Sequence, residues 1–160
     1  MVANGVLICT GKGPHLVSDA TFDDFEMTLE FLLPPKCNSG IFLRNRYEIQ
    51  FLDSMWRSPD NKPAKPSEIT GAIYFYAAPT RDAYLGPNQW NSLYARLVGD
   101  EITVRLNNKK IIDNQRLNRK RGASEEEAVA ALGPFLFQYH TGTEGMKIRN
   151  FVVTPLATKD

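Results

Sequence analysis

The stretch FEMTLEFLL, Phe25 to Leu33, decides the fold. Phe25, Met27, Leu29, Phe31 and Leu33 are apolar, and Glu26, Thr28 and Glu30 lie between them. A period of two sends alternate side chains to opposite faces, so this is a strand with one face in a core and one in water. Pro34-Pro35 stops it. On its N-terminal side, Val6 to Cys9 reads as a shorter apolar strand ending in the turn Gly11-Lys12-Gly13-Pro14. On its C-terminal side, Ser39 to Arg44 and Tyr47 to Leu52 form two strands around a tight Asn45-Arg46 connection. Gly71 to Tyr76 is another, rich in aromatic residues. Trp90 to Val98, Gly99-Asp100 and Glu101 to Leu106 make a hairpin, and Asn107-Asn108 suits a second two-residue turn because Asn tolerates positive φ. Lys110 to Ile112, Phe135 to Tyr139 and Met146 to Val153 complete a set that predicts an all-β, two-sheet antiparallel sandwich.

One segment departs from alternation. Ser124 can cap a short surface helix whose first turn is Glu125-Glu126-Glu127 and which Gly133-Pro134 ends. The preceding Arg119-Lys120-Arg121 reads as a solvated loop. Ser58 to Ser67, with its prolines and charges, is an exposed connection of the kind that frames sites.

The chain has 160 residues, 42% of them hydrophobic and 23% charged, with a net charge of +1. That length suits one sandwich domain over residues 1–160. Near-neutral charge gives no general field for a polyanion or an acidic membrane, so no nucleic-acid or membrane partner is expected. No apolar run is long enough for a transmembrane helix, and no basic-then-apolar leader opens the chain. Cys9 and Cys37, with His15 and His140, have no recognisable metal spacing, and the compartment stays open.

Sheet geometry sorts the polar residues. Glu48 and Gln50 share the face of their strand opposite Tyr47, Ile49 and Phe51; Gln138 and His140 share the face opposite Phe135, Phe137 and Tyr139. If these strands are neighbours, one outer face carries Glu48, Gln50, Tyr74, Gln138 and His140, with Arg44 in reach. Amides, an aromatic ring, an Arg and a carboxylate form a surface suited to sugar. From the pattern alone, Glu48 and Gln50 read more simply as ordinary wet-face residues of an antiparallel sheet. Ordinary glycosidase chemistry needs two flanking carboxyls, and Glu48 and Asp53 fall on opposite faces of an unbroken strand. Nucleophile-elbow, phosphate-loop and dinucleotide motifs are absent.

Several ordered motifs carry a resemblance: NSGIFLRNRYEIQFLDS (Asn38 to Ser54), GAIY (Gly71 to Tyr74), Ala78-Pro79, Trp90-Asn91, GPFLFQYHTG (Gly133 to Gly142) and KIRNFVVTPL (Lys147 to Leu156). With the opening from Asn4 to Pro35, nearly the whole chain resembles the 3-keto-disaccharide hydrolase family. The resemblance implies a concanavalin-A-like jelly roll and a carbohydrate substrate oxidised at C3. A C3 ketone acidifies the C2 proton, so a base can remove it and the group on C1 can leave. For that chemistry His140 or Glu48 is the expected base, with the other binding the keto oxygen or a divalent cation as cofactor; the resemblance supplies their positions and not their roles. Arg44, Gln50, Tyr74 and Gln138 would then position hydroxyls. Three features depart from the family pattern: Tyr139 replaces an acid, Phe75-Tyr76 replaces Gly-Gln, and the short opening implies an open sheet edge through which oligomers could form. Two other readings stand beside the hydrolase or lyase: a non-catalytic carbohydrate-binding module, and an interaction domain using the open edge.

Overall fold

The computed structural model describes residues 1–11, 13–117, 132–140 and 142–157. In chain order the strands are β1 (Val2–Ala3), β2 (Val6–Ile8), β3 (Leu16–Phe22), β4 (Phe25–Leu32), β5 (Asn38–Leu43), β6 (Tyr47–Leu52), β7 (Asn91–Val98), β8 (Glu101–Leu106), β9 (Lys109–Arg116), β10 (Gly133–Phe137) and β11 (Lys147–Pro155). They form two antiparallel sheets, ordered β1-β2-β11-β4-β7-β8-β9 and β3-β10-β5-β6. The expected all-β sandwich is therefore the fold. The helix expected from Ser124 lies outside the described residues. Among those described, no helix is long and apolar enough to cross a membrane.

The alternating strand β4 sits near the middle of the larger sheet and buries Phe25, Met27, Leu29 and Phe31 almost completely. Facing them from the smaller sheet are Ile41, Leu43, Ile49, Phe51 and Phe135, also fully buried. Phe31 stacks on Phe51 at 4.3 Å, and Phe25 meets Phe135 edge-on at 4.9 Å, so aromatic pairs join the two layers. Gly99, at φ +55, lies in a tight connection between β7 and β8, while Asn107 and Asn108 both take positive φ between β8 and β9.

Two stretches differ from expectation. The alternation pattern predicts no strand over β3. β3 lies at a sheet edge with mostly exposed side chains, so its residues never needed to alternate. Gly71 to Tyr76, expected as a strand, is a bridge that folds back. Ile73 pairs with Ile49 on one side and Ala77 on the other, and the Tyr76 N–H closes a turn onto the Ile73 carbonyl at 2.8 Å. Phe75, in the middle of that turn, has φ +65. Its ring needs no place in a sheet because the chain reverses there.

Candidate functional site

The outer face of the smaller sheet collects its polar residues by register. Leu136, Phe42 and Glu48 lie in line across β10, β5 and β6. In the next line Gly40 stands opposite Gln50, and the Gln138 N–H donates to the Gly40 carbonyl at 2.9 Å. Opposed residues of antiparallel strands share a face, so Glu48, Gln50 and Gln138 point the same way. Residues 71–74 continue the sheet beyond β6. Gln50 N–H donates to the Ala72 carbonyl, while Gly71 and Tyr74 N–H groups donate to the Gln50 and Glu48 carbonyls, all at 2.9 Å. Tyr74 therefore stands directly beside Glu48.

Glu48 is unlike an ordinary wet-face carboxylate. It is only 8% exposed, and its buried Oε1 has no hydrogen-bond partner among the described residues. The seat exists because residue 40 is glycine. A Cβ there would lie 2.3 Å from Oε1 and 2.8 Å from Cγ of Glu48. Burial disfavours the charged form and pushes the carboxyl up to about 7. Such an acid can accept and hold a proton near neutral pH, which is what a general base requires.

Its neighbours are neutral donors. Gln50 is buried, and its Nε2 donates to Asn38 Oδ1 at 3.1 Å, which fixes the amide. Burial raises the Tyr74 phenol, and the nearby Glu68 and Glu48 carboxyls raise it further, so it stays a protonated O–H donor. Ser39 Oγ donates to the Gln138 carbonyl at 2.7 Å and pins the end of β10 against β5.

His140 lies two residues beyond Gln138, outside β10, and is exposed. Its carbonyl accepts from Thr143 N–H at 3.2 Å and Thr143 Oγ1 at 2.7 Å, so it begins a turn.

Arg44 is committed elsewhere, which corrects its expected place on this face. The strand ends at Leu43, and Arg44 and Asn45, both at φ +53, form the turn that Arg46 N–H closes onto the Leu43 carbonyl. The Arg44 guanidinium donates to the Asp23 carbonyl at 2.8 Å and the Gly99 carbonyl at 2.9 Å, and pairs with Asp24 Oδ1 at 3.0 Å. It ties the two sheets together at one end.

The donor set around Glu48 does not fit the divalent cation expected there. Among the described residues no three His, Cys, Asp or Glu side chains come together. Glu48 is flanked by amides and a phenol, which would supply a hard cation with little charge. Asp53, the other carboxyl weighed against Glu48, accepts from the Lys36 N–H at 2.6 Å and the Met55 N–H at 3.2 Å and holds loops in place.

Sequence reasoning missed Gly40 and Asn38. The pairing of Gly40 with Gln50 was a signal only once the register was known. Two concavities lie elsewhere, one of about 210 Å³ on the outer face of the larger sheet over Thr28, Glu30 and Tyr94, and one of about 190 Å³ between β2 and the end of β10, which Gln138 also lines; neither is lined by Glu48.

A family model described as a 3-keto-alpha-glucoside-1,2-lyase-like domain matches residues 1–154. No match was found among curated proteins. Solved structures share the fold. One protein of Parabacteroides distasonis, provisionally described as a glycosyl hydrolase, superposes with a TM-score of 0.80 at 18% identity over 98% of this chain and 83% of its own. Another from the same organism, described the same way, gives 0.78 at 24% identity over 96% and 88%. The carbohydrate-binding module CBM66 of Bacillus subtilis gives 0.52 at 11% identity over 93% and 94%.

Proposed function

We propose a function on one premise: the chain belongs to the family of 3-keto-alpha-glucoside-1,2-lyase-like domains. On that premise it takes a glycoside already oxidised at C3 and breaks the bond from C1 to the leaving group. The observation that carries this reading is the buried carboxyl of Glu48, whose Oε1 has no hydrogen-bond partner among the described residues and which is pushed up to about 7.

The chemistry follows from that acid. Glu48 takes the C2 proton, which the C3 ketone has acidified. The C2 electron pair forms a C1–C2 double bond as the C1–O bond breaks, and the departing oxygen takes a proton. Water then adds, its hydroxyl to C1 and a proton to C2. Negative charge gathers on the C3 oxygen during the first step, and the amide N–H groups of Gln50 and Gln138 and the Tyr74 phenol are the donors available to meet it. This route needs one base and several donors, in keeping with a face on which Glu48 is buried among amides and a phenol. His140 remains the competing base.

Turnover of a 3-keto-glucoside decides between them. Glu48→Gln is expected to lower the rate about 10²- to 10⁴-fold while the protein stays folded. A drop of that size in His140→Ala, with Glu48→Gln unaffected, would move the base to His140. No release of the leaving group by the native chain would overturn the reading. A chelator arm tests whether any divalent cation is needed. Sugar binding without turnover is the second reading, favoured by the exposed ring of Phe75 beside Tyr74, which could hold a sugar with no base at all.

A further inference from the structure

Phe75 occupies a position its residue type does not favour. It is the second central residue of the turn that Tyr76 N–H closes onto the Ile73 carbonyl, and its φ is +65. Turns with positive φ at that place ordinarily hold Gly or Asn, because a Cβ there crowds the backbone. A bulky aromatic residue in such a conformation carries strain that the rest of the fold must offset.

Packing does not offset it. Phe75 is 73% exposed, and Tyr74 is the ring it meets among the described residues, with centroids 4.1 Å apart and planes tilted by 50°. Phe151 is the contrast. It is 36% exposed and keeps edge contacts with Phe135 and Phe137, so its ring belongs to the core margin. The Phe75 ring has no comparable contacts to the core. Its placement is specific all the same, because the Tyr74 backbone is bonded to the Glu48 carbonyl and the turn is anchored on Ile49 of β6.

We infer that Phe75 and Tyr74 form an aromatic platform at the rim of the Glu48 site that takes the apolar C–H face of the substrate's pyranose ring. The inference rests on the carbohydrate reading above and adds the residue that governs affinity for the ring. A sugar ring presents axial C–H groups on one face and hydroxyls at its edge. An exposed aromatic face is complementary to the first, and the amides of Gln50 and Gln138 to the second. The strained turn holds the ring outward before the sugar arrives, so little side-chain freedom is lost on binding.

The test separates platform from fold. Phe75→Gly places at φ +65 the residue that prefers it, so a platform residue predicts an unchanged or raised melting temperature together with weaker binding. Titration calorimetry with methyl 3-keto-α-glucopyranoside is done on Glu48→Gln, which does not consume the probe, and on Glu48→Gln/Phe75→Gly. Affinity is expected to fall about fivefold in the double variant, and Phe75→Trp is expected to hold or improve it. Equal affinities, a loss of melting temperature that accounts for the weaker binding, or no binding by either protein would each overturn the platform. Native turnover is measured separately, so loss of the platform with turnover intact is distinguishable from failure of the reaction proposed for Glu48.

Discussion

Glu30 and Glu48 occupy comparable places on the two sheets and behave in opposite ways. Each lies on the side of its strand turned away from the core, Glu30 on β4 and Glu48 on β6. Glu30 is met by a guanidinium and an amide: Arg149 Nε donates to it at 2.8 Å and Asn150 Nδ2 at 2.6 Å. Those bonds, the one from Arg149 foremost, hold its carboxyl below the usual range. Glu48 is buried with an oxygen that no hydrogen-bond donor reaches among the described residues, and its carboxyl rises to about 7. The two side chains have the same chemistry, and their neighbours alone set the difference. A carboxyl supplied with partners is part of the scaffold, whereas one buried without them costs stability and is kept ready for chemistry.

The largest expected effect on stability tests the cost at Glu48. Its folded pKa lies above its ordinary value of 4.5. The folded state therefore holds a proton that the unfolded state releases between about pH 4.5 and 7, and this contribution to stability is present below that window and lost as pH rises through it. Relative to native protein, Glu48→Gln should gain stability over the same window, by up to about 3 kcal/mol above pH 7. Urea unfolding at pH 5 and pH 8 checks this. A constant difference between the two proteins would mean the carboxyl is solvated.

Gly40→Ala sharpens the comparison by a smaller step. Its Cβ would occupy the seat of the Glu48 carboxyl, so Glu48 must turn outward. Overpacking of this kind costs about 1 to 3 kcal/mol when nothing yields, and less when a side chain swings free. The carboxyl should then titrate near its ordinary value, the pH dependence described for Glu48 should vanish, and turnover should fall as in Glu48→Gln. Carbon-detected NMR titration of the Glu48 carboxyl checks the shift. A carboxyl still titrating near 7 in Gly40→Ala would show that the glycine does not make the seat.

Much of this was legible in the sequence, for reasons particular to each element. β4 alternates because one of its faces is buried and the other faces outward, and its register follows from that pattern. The Asn107-Asn108 turn announces itself because few residues tolerate positive φ. The shared face of Glu48, Gln50 and Gln138 was legible through parity, with Tyr74 joining it across a backbone bridge. Parity failed at Arg44, which would share that face only if β5 ran one residue further. The strand ends at Leu43, and the charges of Asp23 and Asp24 hold the turn. The burial of Glu48 was not legible, since β6 alternates in sequence like a strand with a wet face, yet all six of its residues are buried. The seat over Gly40 follows from the β5–β6 register, residues 71–74 reach the edge of β6 by pairing across some twenty residues of chain, and no local pattern records either.

The smallest effect examines the other half of the pair. Glu30 has a lowered pKa, so its contribution to stability is present above the ordinary carboxyl range and is lost as pH falls through its folded value. Glu30→Gln removes the charge but leaves an oxygen for Asn150. The group is part-exposed and solvent screens it, so the expected cost is about 0.5 kcal/mol at pH 7, shrinking toward zero in acid and in high salt. Arg149 keeps a second hold, with its guanidinium 3.9 Å from the Trp90 ring centroid, and this too limits the loss. Turnover should be unchanged. Native and variant unfolding curves at pH 4 and pH 7 give the slope, and its sign is the deciding quantity. Glu30→Gln should become relatively less stable as pH rises, and Glu48→Gln relatively more stable. If both slopes had the same sign, the contrast between a partnered and an unpartnered carboxyl would fail, and with it the argument that singles out Glu48 as the base.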